Sequence, residues 1–363
     1  MLDWAFQEGM SLMPAHSRTR KLPSLSILQD MHSGDFEEII FVQERRSGLK
    51  AIICIHSTKL GAAHGGIRRI AYKSESEALA DVMRLGRAMS RKTALAGIPA
   101  GGGKAVIIDH PGLKRKAAYE ALGRAIERLG GRFYTGPDVG TTEKDLAAVR
   151  SQTRFVVEPQ TGSGPGDISD ATARGVIAGI KATLAFLYGD PSPASRNFAV
   201  QGLGAIGGRV AEWLWRGDAH LTVAEIDASK LRQWRSKPDV DVVPTKRVLE
   251  VPCDILSPCA LGGIISSRSR LKCQAIIGAA NNPLASESVA EALNRRGILL
   301  APDFVVNAGG VIEGAGRHLG FADQTTQKID GIAETLMSIY RRARKIGASP
   351  YHVALSMADA RLR

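Results

Sequence analysis

Hydrophobic positions change period along the chain. Between residues 38 and 55 they form two short apolar runs, Glu38–Val42 and Lys50–Ile55, separated by a polar turn at Arg45–Gly48; this predicts paired strands. From Ser74 the period lengthens. Leu79, Val82, Met83 and Gly86 recur at helical spacing up to Met89, Ser74 and Glu77 have capping-box spacing, and Arg91 and Lys92 end the helix. A strand is predicted at Val106–Ile108, then a helix over 114–129 stopped by Gly130–Gly131. A short strand from Arg132 leads into a turn carrying Asp138, and Thr142 and Asp145 can cap the helix after it.

From about Asp167 strands alternate with helices, the texture of a parallel sheet. A helix over 169–187 is followed by strands at 197–201 and 221–224, and further short strands end near Pro258, Pro283 and Asp303. An amphipathic helix is predicted over 324–346. The fold class is therefore α/β, with two domains around a cleft: an N-terminal α/β catalytic domain over 1–160 and a Rossmann-type domain over 161–335. The C-terminal helix, 336–363, is expected to return to the first domain.

Glycine clusters interrupt this pattern. Leu60–Arg69 reads as a glycine-rich bend before a cationic pair. Gly101–Gly103 reads as a sharp turn that delivers Lys104 into the mouth of a strand, where burial would lower its pKa. A phosphate-binding Walker loop does not fit, because Gly97 lies one residue too far from Gly103 and Ala105 offers no hydroxyl. Read alone, the stretch is a turn with a surface lysine.

Gly202-Leu203-Gly204-Ala205-Ile206-Gly207 is more specific. It follows a strand and opens a helix, and the next strand ends at Glu225, where a carboxylate can bind ribose hydroxyls. The glycines let a pyrophosphate approach the helix N-terminus. An acid at 225 repels a 2′-phosphate, so the cofactor is read as NAD rather than NADP.

Composition narrows the classes. Net charge is +12, from 48 basic and 36 acidic residues, but no aromatic-studded basic stripe or nucleic-acid motif accompanies it. An anionic substrate and cofactor account for it more economically. No apolar run approaches the roughly 20 residues of a membrane span. No secretory signal is read at the N-terminus, where the basic cluster Arg18–Lys21 sits in an extension, 1–34. Cys54, Cys253, Cys259 and Cys273 lack metal-site spacing, so no metal is expected, and free thiols suit a cytoplasmic protein.

Taken in order, His64-Gly65-Gly66-Ile67-Arg68, Arg91-Lys92, Gly101–Lys104, Pro137–Thr141, Gly202–Gly207, Gly278–Asn282 and Pro302-Asp303 with Asn307–Gly310 resemble the Glu/Leu/Phe/Val dehydrogenase family, nearest its leucine and phenylalanine branch. The resemblance runs from about residue 36 to 355. It implies NAD-dependent oxidative deamination of an L-amino acid to a 2-oxo acid and ammonia, in a homo-oligomer. It implies that Lys92 holds the substrate carboxylate, Lys104 activates water, Asp138 shuttles protons, Asn307 and Gly65 bind substrate, and Thr172 meets the nicotinamide. Gly202, Gly204, Ala205, Ile206, Gly207, Glu225 and Asn282 fall in the cofactor set.

Departures from the family pattern bear on the substrate. His64 stands where glutamate enzymes carry lysine and leucine enzymes an aliphatic residue. Gly136, Val311 and Gly314 occupy the other pocket positions, and the two glycines remove side-chain volume. A bulky aromatic or branched-chain substrate is expected, with His64 stacking on it or hydrogen-bonding to it. Pro137, Arg69 and the stretch 160–167 also depart from the pattern. Two other readings fit less well: a dehydrogenase or reductive aminase for a specialised amino acid, and an NAD-binding sensor, which the set Lys92, Lys104 and Asp138 argues against.

Overall fold

The computed structural model describes residues 26–157, 167–260 and 262–363. The basic cluster 18–21, the expected domain boundary at 160/161 and most of the divergent stretch 160–167 lie outside the described residues. Helix α1 (Ile27–Gly34) ends on Asp35 in the left-handed region, φ 55°.

The first domain comprises β1 (Glu38–Glu44), β2 (Leu49–Ser57), β3 (Ala63–Ile70), α2 (Glu75–Leu95), β4 (Gly101–Ile108), α3 (Arg115–Glu127), β5 (Phe133–Pro137) and α4 (Glu143–Arg150). Its five strands lie in the order β1-β2-β4-β3-β5. β3, β4 and β5 run parallel, and β2 is antiparallel to both its neighbours. One face packs against α3 and α4 through Ile53, Ile55, Ile67, Ile107, Leu122, Ile126 and Phe133, all buried. Thr142 and Asp145 form the expected capping box of α4.

The second domain continues with α5 (Ile168–Tyr188), β6 (Asn197–Gln201), α6 (Gly207–Arg216), β7 (His220–Ala224), α7 (Ala228–Leu231), β8 (Val240–Val242), β9 (Ile255–Pro258), β10 (Ala275–Ile276), α8 (Ser288–Arg295) and β11 (Leu299–Leu300). Its six strands are all parallel, in the order β11-β10-β9-β6-β7-β8. That is the order of doubly wound dinucleotide-binding sheets, whose ligand crevice opens where the winding reverses, here between β6 and β9. The chain then forms α9 (Asp303–Val306), α10 (Gly309–His318), α11 (Thr325–Asp330), α12 (Ile332–Ile346) and α13 (Pro350–Arg361).

Four elements differ from the sequence reading. Residues 63–70 are a strand, not a bend. β4 starts at Gly101, so the glycine run is extended chain and not a turn. A Cβ on Gly101 would lie 1.9 Å from the Ser57 carbonyl oxygen, one on Gly102 2.0 Å from the Ser90 nitrogen, and one on Gly103 2.7 Å from the Cys54 carbonyl oxygen. These glycines serve close packing rather than turning. The single helix expected over 324–346 is instead α11 and α12, broken at Gly331. The expected terminal helix 336–363 is likewise divided: Gly347 closes α12 in the left-handed region (φ 67°), and Ser349 caps α13 with Pro350 in its first turn.

Helix α2 covers the other face of the first sheet. Ser74 caps it by accepting from the Glu77 N–H at 3.1 Å. Ser90 is fully buried, shares a 2.8 Å hydrogen bond with His56 Nδ1 and lies 3.4 Å from the Gly102 carbonyl oxygen it faces. Helix α13 lies against α2: Arg91 makes a two-pronged pair with Asp359 at 2.8 and 3.0 Å, and Arg361 donates to the Ala94 carbonyl at 2.7 Å.

A Gly102→Ala substitution should cost at least about 2 kcal/mol, because its methyl meets helix backbone that cannot swing away. Gly314→Ala, whose methyl meets nothing within 4 Å, should be neutral or slightly stabilising. Urea denaturation of both variants checks this; equal stabilities would contradict the packing account.

Candidate active site

Alternation along the three parallel strands builds the site. Ala63, Ile67, Ala105, Ile107 and Phe133 point into the core under the first sheet. The intervening residues face the opposite way. His64 is paired with Gly102 and with Tyr134, and Gly66 with Gly136. The same register puts Gly66 beside Lys104 and Arg68 beside Asp138. Lys104 therefore stands next to two positions without side chains. A Cβ on Gly136 would meet nothing within 4 Å, so open space lies over it. Gly65 takes no part in this face: its Cβ would fall 1.9 Å from the Gly103 carbonyl oxygen, so it serves strand packing.

Lys104 Nζ is 3.0 Å from Asp138 Oδ2, and the lysine is only 6% exposed. Burial holds its pKa below the ordinary lysine value, with the Asp138 charge opposing. Burial acts to raise Asp138, but the Lys104 and Arg68 charges outweigh it, and the carboxyl stays below the usual range. Arg68 Nε donates to the same Asp138 oxygen at 3.0 Å, and its Nη1 to Asp81 at 3.1 Å. Asp81 also accepts from Tyr72 and Arg84, at 2.8 and 2.6 Å. Asp138 is thus gripped between two cations, and the Arg68 cation is itself anchored.

Lys92, near the end of α2, reaches Asn281 Oδ1 at 3.4 Å. Its pKa is pushed down to about 8, first by burial; the Asp303 charge opposes and the Lys104 charge adds. Asn307 is buried and donates through Nδ2 to Ala279 O and Asn281 Oδ1, at 3.3 and 3.0 Å. Its own Oδ1 is buried with no partner. Asp303 accepts from the Asn282 N–H at 2.8 Å, which fixes Asn282 at φ 49°. Burial raises the Asp303 pKa.

Helix α10 faces this sheet. Val311, Gly314 and His318 follow at helical spacing on one stripe. The His318 ring lies 4.2 Å from that of Tyr134 and 5.4 Å from that of His64, centroid to centroid, and His64 stacks on Tyr134 at 5.2 Å with planes 11° apart. A Cβ on Gly314 also meets nothing within 4 Å.

The dinucleotide motif stands at the switch point of the second sheet. Gly202 has φ +88°, and a Cβ on Gly207 would lie 2.0 Å from the Gly202 carbonyl oxygen, so only glycine lets α6 start there. Gly204 faces open space. Ala205 and Ile206 complete the turn, and Arg209 donates to the Ala205 carbonyl at 2.5 Å. Glu225 accepts from the backbone N–H of Leu203, Ile226 and Asp227 at 2.7, 2.8 and 3.1 Å, which ties β7 to the glycine loop. Thr172 donates to the Ile168 carbonyl at 2.7 Å on α5, beside Gly310 of α10. A glycine cradle, the free N–H groups of a helix start and an acid at the next strand end fit a dinucleotide.

Sequence reasoning missed Arg68, Tyr134, Asn281, Asp303 and His318 as site residues. Arg68 and Tyr134 were findable once β3 and β5 are strands, since each alternates onto the face of His64 and Gly136. His318 becomes findable seven residues beyond Val311 on α10.

Residues 37–155 match the family described as Glu/Leu/Phe/Val dehydrogenase, dimerisation domain, and residues 218–342 match Glutamate/Leucine/Phenylalanine/Valine dehydrogenase. The chain is 40% identical to a leucine dehydrogenase of Thermoactinomyces intermedius, over 93% of this chain and 94% of that protein. It is 42% identical to a phenylalanine dehydrogenase of Lysinibacillus sphaericus, over 85% and 83%. The crystal structure of L-tryptophan dehydrogenase from Nostoc punctiforme superposes with a TM-score of 0.81 at 35% identity, covering 93% of this chain and 98% of that one.

Because folding lowers the Lys92 pKa from 10.5 to about 8, the unfolded chain holds more protons across that interval, and the cost of burying the ammonium fades as pH rises through it. Urea denaturation of ligand-free wild type and Lys92→Met from about pH 7 to about pH 10 should show the wild type gaining stability relative to the variant. A flat or falling difference would contradict the shift.

Proposed function

The chain belongs to the Glu/Leu/Phe/Val dehydrogenase family, oxidoreductases of the CH–NH2 group, and from that premise we propose that it oxidatively deaminates a bulky aromatic L-amino acid with NAD. The observation that carries the chemistry is the pair of buried Lys104 and half-buried Asp138, 3.0 Å apart, at the edge of the open space over Gly136. When bound, NAD+ accepts the hydride from the substrate Cα. Gly202, Gly204 and Gly207 with Ala205 and Ile206 would hold its pyrophosphate, Glu225 its ribose, and Thr172 and Asn282 its nicotinamide half. The acid at 225 supports NAD over its 2′-phosphorylated form.

The remaining steps fall to this chain's residues. Lys92 binds the α-carboxylate. The unpartnered Asn307 Oδ1 accepts from the α-amino group. A carboxylate on Lys92 keeps that lysine charged, and its charge disfavours a second ammonium at Lys104. Neutral Lys104 then takes a proton from the water that attacks the iminium carbon. Asp138 relays protons between Lys104 and the departing amine, which leaves as ammonia. Arg68 keeps Asp138 aimed at Lys104.

The substrate reading rests on Gly136 and Gly314, where a side chain is missing and nothing refills the space. His64, Tyr134 and His318 supply an aromatic wall beside Val311. The likeness to a tryptophan dehydrogenase supports the same direction. The dimerisation-domain match supports a homo-oligomer. The working division is a catalytic domain over 1–160, rejoined by the C-terminal helices, and a cofactor domain over 161–335. We place it in the cytoplasm. No helix among the described residues is long and apolar enough to cross a membrane.

Lys104→Ala should lower kcat by about 10²- to 10⁴-fold while NADH binding, followed by fluorescence, is unchanged; near-full turnover would remove Lys104 from the mechanism. In an amino-acid panel followed by NADH absorbance, phenylalanine, tyrosine or tryptophan should have the highest kcat/KM, and Gly314→Leu should shift preference toward leucine or valine. A wild type that turns over leucine or valine best, with aromatic substrates poor, would overturn the pocket assignment.

A further inference from the structure

Near its end β3 carries two adjacent arginines, Arg68 and Arg69, and alternation sends them to opposite faces of the sheet. Arg68 is on the site face and grips the Asp138 carboxylate. Arg69, one of the departures from the family pattern, has no role in the proposed steps. It lies on the α3 side, where its guanidinium stands beside Tyr119 and its Nη1 pairs with Asp109. The Arg69 side chain is 15% exposed, so this pair is largely shielded from water.

Backbone and side chain of Arg69 both reach the turn that follows β5. Its backbone N–H donates to the Val139 carbonyl at 2.9 Å, and its Nε to the Gly140 carbonyl at 3.2 Å. Arg115 Nη2 donates to the same Gly140 carbonyl at 3.3 Å and is itself held on Asp145. The Thr141 N–H closes the turn on the Asp138 carbonyl, at 3.0 Å. Gly140 has φ +80°, and a Cβ there would fall 1.9 Å from the Arg69 carbonyl oxygen, so the turn lies flat against β3. Asp138 is the first residue of that turn, and its carboxyl accepts from the Val139 N–H. The placing of the Val139–Gly140 backbone therefore decides where the carboxyl stands. Hydrogen bonds from charged donors are roughly twice as strong as neutral ones, and two guanidinium groups share this one carbonyl.

We infer that Arg69 is a positioning residue: paired with Asp109 on the face of the sheet away from the site, it pins the Asp138–Thr141 turn so that the Asp138 carboxyl stays within reach of Lys104. This rests on the proton-shuttle reading of Asp138 given above and adds a remote anchor to it. The two neighbouring arginines then hold one aspartate from both sides of the sheet, Arg68 by its carboxyl and Arg69 by its backbone. Proton transfer between Lys104 and Asp138 depends on their separation, so a slackened turn costs turnover more than substrate binding, which falls to Lys92 and Asn307. It also leaves a trace on Lys104 itself. Asp138 and Asp81 raise the Lys104 pKa and Arg68 lowers it, so a carboxyl that drifts away lets the pKa fall. Loss of the Arg69 charge acting through space would raise it instead.

The test uses the full chain with NAD+ and its best amino-acid substrate, and compares Arg69→Leu, Arg69→Lys, Asp109→Asn and Asp138→Asn. Arg69→Leu should lower kcat by roughly 10- to 100-fold with a smaller change in KM. NADH binding should be unchanged, which reports that the variant is folded. Its Lys104 pKa, followed by NMR of 13Cε-labelled lysine, should fall, as in Asp138→Asn. Arg69→Lys keeps a cation on Asp109 and should recover part of the turnover. Asp109→Asn loosens the same anchor and should lower kcat less; added to Arg69→Leu it should cost little more, because both act through one pair. Near wild-type kcat in Arg69→Leu, with Asp138→Asn inactive, would overturn the inference and leave the shuttle standing. So would a loss of kcat with the Lys104 pKa unmoved or raised. Near-full turnover in Asp138→Asn would overturn the shuttle and this inference together.

Discussion

Helix α2 lies so close to β4 that a methyl group on Gly102 would overlap the Ser90 backbone, at 2.0 Å from its nitrogen. Two residues beyond this contact stand Lys92 on the helix and Lys104 on the strand. The approach therefore sets the spacing between the two lysines, and the repulsion by which the Lys104 charge helps to lower the Lys92 pKa follows from it. Helix α13 reinforces the helix from behind through Arg91 and Asp359. The same scarcity of side chains recurs at Gly136, where a Cβ would meet nothing within 4 Å. A sheet face without side chains thus does two jobs: it seats a helix at one end and leaves room for a substrate at the other.

Electrostatics then decide what the lysines can do. Removing an ammonium from water is expensive, and one carboxylate offsets only part of the cost. At Lys104 burial outweighs the adjacent Asp138 and holds the pKa below the ordinary lysine value. Arg68 shares the Asp138 charge and so weakens its hold on Lys104. In the proposed mechanism this carboxylate carries protons beside a lysine that gives them up. On the far side of the cleft, Asn307 and Asn281 are ordered by their own hydrogen bonds and leave one acceptor, Asn307 Oδ1, unspent.

Much of this was legible along the chain, for physical reasons that differ from element to element. Helix α2 announced itself through its cap and its apolar stripe, and β6 through the glycine motif that must follow it. β3 and the start of β4 were misread because periodicity is carried by side chains, and His64-Gly65-Gly66 and Gly101–Gly103 have almost none. A glycine run looks the same whether it turns or lies flat beneath a helix; only the Ser57, Ser90 and Cys54 atoms beside it tell the two apart. The break at Gly331 was hidden by an amphipathic pattern that continues across it. Tyr134 and His318 are distant in sequence and meet His64 only because α10 docks over the first sheet. The motifs gave Lys92, Lys104 and Asp138 their places; the aromatic wall needed the fold.

Burial of Lys104 outweighs its carboxylate partner, and its ionisation can be read directly. Titration of 13Cε-labelled lysine by NMR, with Lys104→Arg identifying the resonance, should place the Lys104 pKa in the ligand-free enzyme below the ordinary value of 10.5. In Asp138→Asn it should fall further. A Lys104 pKa at or above 10.5 would mean that the carboxylate dominates, and a lysine locked in its charged form could not serve as the base.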